Sequence, residues 1–142
     1  MTDKLNNLLA NYQIYYQNLR GFHWNIKGRD FFELHELFEQ LYTDAAVKID
    51  EIAERILTLG DTPLHSYEAY LSESDLKPAT DISASAQSMT LIYDAHEVLI
   101  GKMNDVMEIA GEKNDEGTAD LISPIINQMQ KTNWMIGAWL EK

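Results

Sequence analysis

Residues 31–60, FFELHELFEQLYTDAAVKIDEIAERILTLG, decide the fold. Leu34, Phe38, Leu41, Ala45, Ile49, Ile52, Ile56 and Leu59 recur at intervals of three and four, the spacing of a single helical stripe. They predict a helix over about 31–59, which Gly60 stops. Two pairs stand out on its polar sides. His35 and Glu39 are four apart, as are Asp50 and Glu54, so each pair shares a face. At 100° per residue the two pairs align to within about 60°, yet at 1.5 Å per residue His35 and Asp50 lie about 22 Å apart along the axis. One metal ion cannot bridge that distance. An antiparallel crossing with the same helix of a two-fold mate brings the pairs together. The midpoint of both 35/54 and 39/50 falls at Asp44 and Ala45, where Ala45-Ala46 would let two backbones come close. This predicts two identical sites per dimer.

Outward from that helix, three more segments carry helical periodicity. Leu5, Leu8, Leu9, Tyr12, Tyr15, Tyr16, Leu19 and Phe22 predict a helix over about 4–24, and His23, five turns after Leu5, falls on its inward stripe. Asp61 to Thr80 holds Pro63 and Pro78 around a short helical patch near Tyr67 to Leu71, and is long enough to carry the chain back along the bundle. A third helix is expected from an N-cap at Asp81 to about Ala110, through Ile82, Met89, Tyr93, Ile100, Met103 and Met107. After a polar turn at Gly111 to Gly117, Leu121, Ile125, Met129, Ile136 and Trp139 mark a fourth helix, which Pro124 should kink or loosen in its first turn. The expected architecture is all-α, a single domain over 1–142: a four-helix bundle whose long crossover, with its short helix, joins the second and third helices. That is the connectivity of ferritin-like bundles.

Composition sets the outer bounds. A chain of 142 residues, 45% hydrophobic, supplies one core. No cysteine means no disulfide, no thiolate metal site and no cysteine nucleophile. The start, MTDKLNNLLANYQ, lacks the basic and apolar blocks of a secretory signal, and no apolar run reaches membrane-span length, so a cytoplasmic location is expected. With 11 basic against 23 acidic residues the net charge is −12, which opposes nucleic acid and favours cations.

A lone histidine on an apolar stripe is ordinarily a core residue, and a carboxylate pair is ordinarily a solvated face. Together, His23, His35, Glu39, Asp50 and Glu54 form a mixed nitrogen and oxygen set that suits iron, manganese or zinc rather than a soft metal. His96 falls on the buried stripe of the third helix and reads as core. His65, in the crossover, has no partner at ligand spacing. The methionines recur with other apolar residues and read as core filler. No glycine-rich phosphate loop or nucleophile elbow is present. A di-iron centre inside one bundle needs Glu three residues before His, but those positions hold Arg20, Phe32, Thr62 and Tyr93.

The run His23-Trp24-Asn25-Ile26-Lys27-Gly28, with Phe31-Phe32, His35-Glu36, Phe38-Glu39, Asp50-Glu51-Ile52-Ala53-Glu54-Arg55 and the later Asn133-Trp134-Met135, resembles the Dps family, the mini-ferritins. The resemblance covers essentially the whole chain. It implies a ferroxidase centre at a two-fold interface, with His23, His35 and Glu39 from one subunit and Asp50 and Glu54 from its mate. It further implies a dodecameric shell that oxidises Fe(II), preferentially with hydrogen peroxide, stores ferric mineral and so protects against oxidative damage. Zinc should compete for the same ligands, because the affinity order does not favour Fe(II) over it. The family usually has Asp at the position of Glu39. Trp24 matches the family's site-adjacent tryptophan, an auxiliary electron source there and otherwise an interface residue. In the family the segment of Asp115, Glu116 and Asp120 lines three-fold pores for the inflow of iron, although acidic residues also suit a helix N-terminus. Direct DNA binding is not expected, because only Lys4 precedes Arg20 and no lysine-rich tail is present; a divalent-ion bridge is the route to consider first. The other reading is a non-catalytic or DNA-organising shell with a structural metal.

Overall fold

The computed structural model describes residues 1–142 as five helices and no strand: α1 (Thr2–Asn25), α2 (Phe31–Thr58), α3 (Tyr67–Glu73), α4 (Ser85–Glu112) and α5 (Glu116–Trp139). The four long helices form the bundle, and α3 lies in the crossover. Each long helix turns its apolar stripe inward because only that orientation removes the stripe from water. Leu5, Leu8 and Leu19 of α1, Phe38 and Ile52 of α2, Leu99 and Met103 of α4 and Ile122 of α5 meet in one buried cluster.

Three helix ends close in the same way. Past α2, Gly60 has φ +91°, its N–H donates to Leu57 O, and Asp61 N donates to Ile56 O. Asn114 and Glu141 take the same left-handed role after α4 and α5, with φ of 54° and 63°. This paired 5→2 and 6→1 bonding satisfies carbonyls that a helix end leaves free. The stop at Gly60 is the one expected from the sequence.

The crossover is tied to α1 by two asparagines. Buried Asn11 accepts through Oδ1 from Ser74 Oγ and from the backbone N–H groups of Asp75 and Leu76. Asn18 accepts from Ala79 N and donates to Lys77 O. Asn11 sits on the buried stripe, so its amide takes up crossover backbone groups that would otherwise lack partners.

Three expectations are corrected. Asp81 is not an N-cap: it occupies a left-handed bend at φ 59°, and α4 begins at Ser85 after Ala84. Ala45 is buried in its own bundle, so of the expected small-residue pair only Ala46 is exposed beside the ligand face. The turn before α5 is shorter than Gly111 to Gly117, because α4 runs to Glu112 and Asp115 already caps α5. Pro124 lies within a continuous α5, where its missing N–H leaves Asp120 O without its usual helical donor on the exposed side.

Candidate metal centre

His23 in the last turn of α1 and His35 near the start of α2 face one another across the short connection at residues 26–30. Gly28, at φ +115°, makes this turn possible, and Phe31 N donates back to Gly28 O. The imidazoles stack with centroids 3.8 Å apart and planes 11° apart. They are locked reciprocally. His23 Nδ1 lies 2.6 Å from His35 O, and His35 Nδ1 lies 2.7 Å from His23 O. A carbonyl only accepts, so each Nδ1 carries the proton and each neutral imidazole keeps its Nε2 lone pair free for a metal.

Glu39, one turn beyond His35, brings Oε1 to 3.5 Å from His23 Nε2. That is too long for a hydrogen bond but suits two ligands of one cation. With metal–ligand bonds of about 2.1 Å, as at zinc, it subtends about 110°. The Glu39 side chain therefore reaches the space beside His23. Phe31 stacks on His35 at 4.9 Å and Tyr42 meets His23 edge-on at 5.3 Å, enclosing the pair in aromatic surface.

Asp50 and Glu54 are exposed on the same flank of α2. The Glu54 carboxyl is raised above its usual range, first by its hydrogen bond with Asp50, then by that residue's charge. Two like charges one turn apart repel, and a cation between them would relieve that repulsion. Within one chain no three histidine or acidic side chains converge on a metal position. His23 lies against both His35 and Glu39, and Glu54 lies against Asp50, but the two sets are separate.

Trp24 is 57% exposed, with its ring 4.9 Å from the Arg20 guanidinium carbon. Arg20 also lies over Tyr16 and Tyr42. This aromatic and arginine group was not singled out in the sequence; the four-residue spacing of Tyr16, Arg20 and Trp24 is the signal for it. Near the acidic turn, Asp115 serves the fold, capping α5 through Thr118 N and pairing with Arg55 at 2.7 Å. Hydrogen bonds from Thr118, and then Arg55, hold its carboxyl below the usual range. Glu116 and Asp120 are exposed. His65 is exposed, and His96 is buried in the core, as expected.

Residues 2–142 of this four-helix bundle match the ferritin-like domain family. A DNA protection during starvation protein of Porphyromonas gingivalis is 42% identical over 138 residues, 97% of this chain and 87% of that one. The crystal structure of the Vibrio cholerae O1 Dps protein, described as a member of a broad superfamily of ferritin-like diiron-carboxylate proteins, superposes with a TM-score of 0.95 at 50% identity, covering 96% of this chain and 86% of that one. Dps from Listeria innocua, in crystals soaked with zinc, gives a TM-score of 0.94 at 27% identity over 99% of this chain and 95% of that one. The chain belongs to the ferritin-like domain family, within its Dps branch.

Proposed function

We propose that this protein is an iron-storing mini-ferritin that oxidises Fe(II), preferentially with hydrogen peroxide, at centres shared by two subunits. The observation that carries the reading is the division of α2: a prepared imidazole and carboxylate half at one end, and a carboxylate pair at the other that favours an added cation. His23, His35 and Glu39 of one subunit and Asp50 and Glu54 of its mate bind Fe(II) as substrate. The imidazoles hold the metal through Nε2, while the carboxylates neutralise charge as it rises from Fe(II) to Fe(III). The diiron-carboxylate description of the Vibrio relative and the zinc soak of the Listeria relative fit a metal-binding role in general. Two-fold dimers assemble into a dodecamer whose interior takes the ferric mineral, and zinc occupies the same ligands. The location is cytoplasmic; no helix is long and apolar enough to cross a membrane. Direct DNA contact is not part of this reading, given the net charge of −12.

Complementation tests it. His35→Ala subunits damage one half of every centre and Asp50→Ala subunits the other, so either variant alone should be inactive. Random reassembly of an equal mixture restores about one centre in four, each needing one intact half from either parent. Mixed shells should therefore recover about a quarter of the ferroxidase rate. No recovery in well-assembled mixtures would reject the shared centre.

A further inference from the structure

One buried side-chain polar atom of the protein lacks a hydrogen-bond partner, Nε of Arg20. It belongs to a half-buried guanidinium held against three rings, Trp24 at 4.9 Å, Tyr16 at 5.6 Å and Tyr42 at 5.8 Å. The rings favour the charge and limit where the group can turn. Nη1 makes one long bond, 3.4 Å, to the Tyr16 hydroxyl. No carboxylate lies within 4 Å of the guanidinium. A buried N–H without an acceptor is costly, and the edge formed by Nε and Nη2 suits a carboxylate held through two parallel bonds. The single chain supplies no acid for that edge.

The antiparallel α2 crossing supplies one. Pairing 35 with 54 and 39 with 50 sets a register in which Tyr42 faces Val47 of the partner subunit. Arg20 lies over Tyr42, so the acids within its reach are those one turn from that position, the partner's Asp50 and the partner's Glu51. The two are not equivalent. In each chain Asp50 is exposed on the flank shared with Glu54. Glu51 is turned about 100° further round the helix, is half-buried, and bears on Tyr12 of its own bundle through its charge. Asp50 is therefore the carboxylate on the mating face.

We propose that Arg20 is a positioning residue that binds the partner's Asp50 side-on across the two-fold, through Nε–H and Nη2–H, and sets that carboxylate for the metal. The inference rests on the shared-centre reading. Each carboxylate oxygen keeps a second lone pair, so the ion pair leaves the partner's Asp50 free to ligate. It also offsets the repulsion between the two neighbouring carboxylates before a cation arrives. Both halves of the centre then have orienting partners: backbone carbonyls for His23 and His35, and a guanidinium for the carboxylate opposite. Arg20 and His23 are three apart on α1, so one helix presents a ligand together with the group that orients a ligand of the other subunit.

The first test uses metal-free, assembled protein. Arg20→Gln should lower the thermal midpoint by about 2–4 °C, the shift that loss of one such pair gives in a chain of this size. The same substitution should cost nothing once Asp50→Asn is present, and should keep its full cost beside Glu51→Gln. An equal cost with and without Asp50, or a cost that vanishes with Glu51 instead, overturns the assignment. Co(II) then reads ligand geometry. Its visible ligand-field bands should shift in Arg20→Gln and recover in part in Arg20→Lys, which returns the charge without the fork. Unchanged bands in an assembled Arg20→Gln protein overturn the positioning role. Should Arg20→Gln not assemble, Arg20→Lys is put through the same backgrounds and read in the same way. Failure of the shared centre shows separately, as no recovery in the His35→Ala and Asp50→Ala mixture. If the cost of Arg20→Gln still vanishes with Asp50→Asn in that event, the ion pair is upheld and the metal reading is at fault.

Discussion

Gly28 has a φ of +115°, a value that side-chain-bearing residues rarely adopt, and an added Cβ there would meet no neighbouring atom within 4 Å. Its requirement is therefore conformational. Gly28→Ala should cost roughly 1–2 kcal/mol of stability, read from the denaturation midpoint. Because this turn sets the His23–His35 register, the same variant should bind Zn(II) more weakly by calorimetry. A variant of unchanged stability and affinity would show that the loop does not set the pair. The imidazole pairing was only half visible in the sequence. His23 and His35 could be named as candidate ligands from their conjunction with Glu39, Asp50 and Glu54 and from the family resemblance, but their reciprocal bonds depend on how two helix ends meet, and no spacing encodes that.

The helices themselves were legible because apolar residues three and four apart leave little alternative to a buried stripe. The start of α4 was not. Asp81 is a favoured capping residue, but residues 81–84 are drawn into the loop packing, where Lys27 N donates to Ser83 O. Ala45 was given two places, on the stripe of Phe38 and Ile52 and at the symmetry midpoint, and its burial keeps the first. The N-terminus of α5 separates two roles that the sequence left merged. Asp115 caps the helix and holds Arg55, whose guanidinium lies so close to Gly117 that a Cβ there would meet it at 2.6 Å. Glu116 and Asp120, exposed one turn apart, remain free to ring a three-fold pore in the proposed shell. Glu116→Gln with Asp120→Asn should slow iron uptake, most at low ionic strength, with assembly unchanged. Asp115→Ala should instead lower stability by about 1 kcal/mol through loss of the cap. Equal uptake by the double variant and the parent at low salt would remove the pore assignment.

Across the whole bundle, the buried His96 contributes to how stability responds to acid. Its folded value, about 4, lies below the ordinary 6.5 because burial disfavours the charged ring. The unfolded chain thus binds the extra proton first as pH falls. The contribution is fully present above pH 6.5, declines between 6.5 and about 4, and changes no further below that. The loss amounts to roughly 3 kcal/mol. Denaturation midpoints at pH 7 and pH 4.5 should differ less for His96→Gln than for the parent. Equal differences would show that His96 titrates normally.

The reciprocal imidazole bonds have a consequence in time as well as in space. Each Nδ1–H is closed against a backbone carbonyl at 2.6 or 2.7 Å, so its proton cannot reach water until the ends of α1 and α2 part. Imidazole protons on open surfaces exchange too fast to be seen. These two should persist as sharp, far-downfield proton resonances in metal-free protein, and their decay in D2O should report the opening rate of this corner of the bundle.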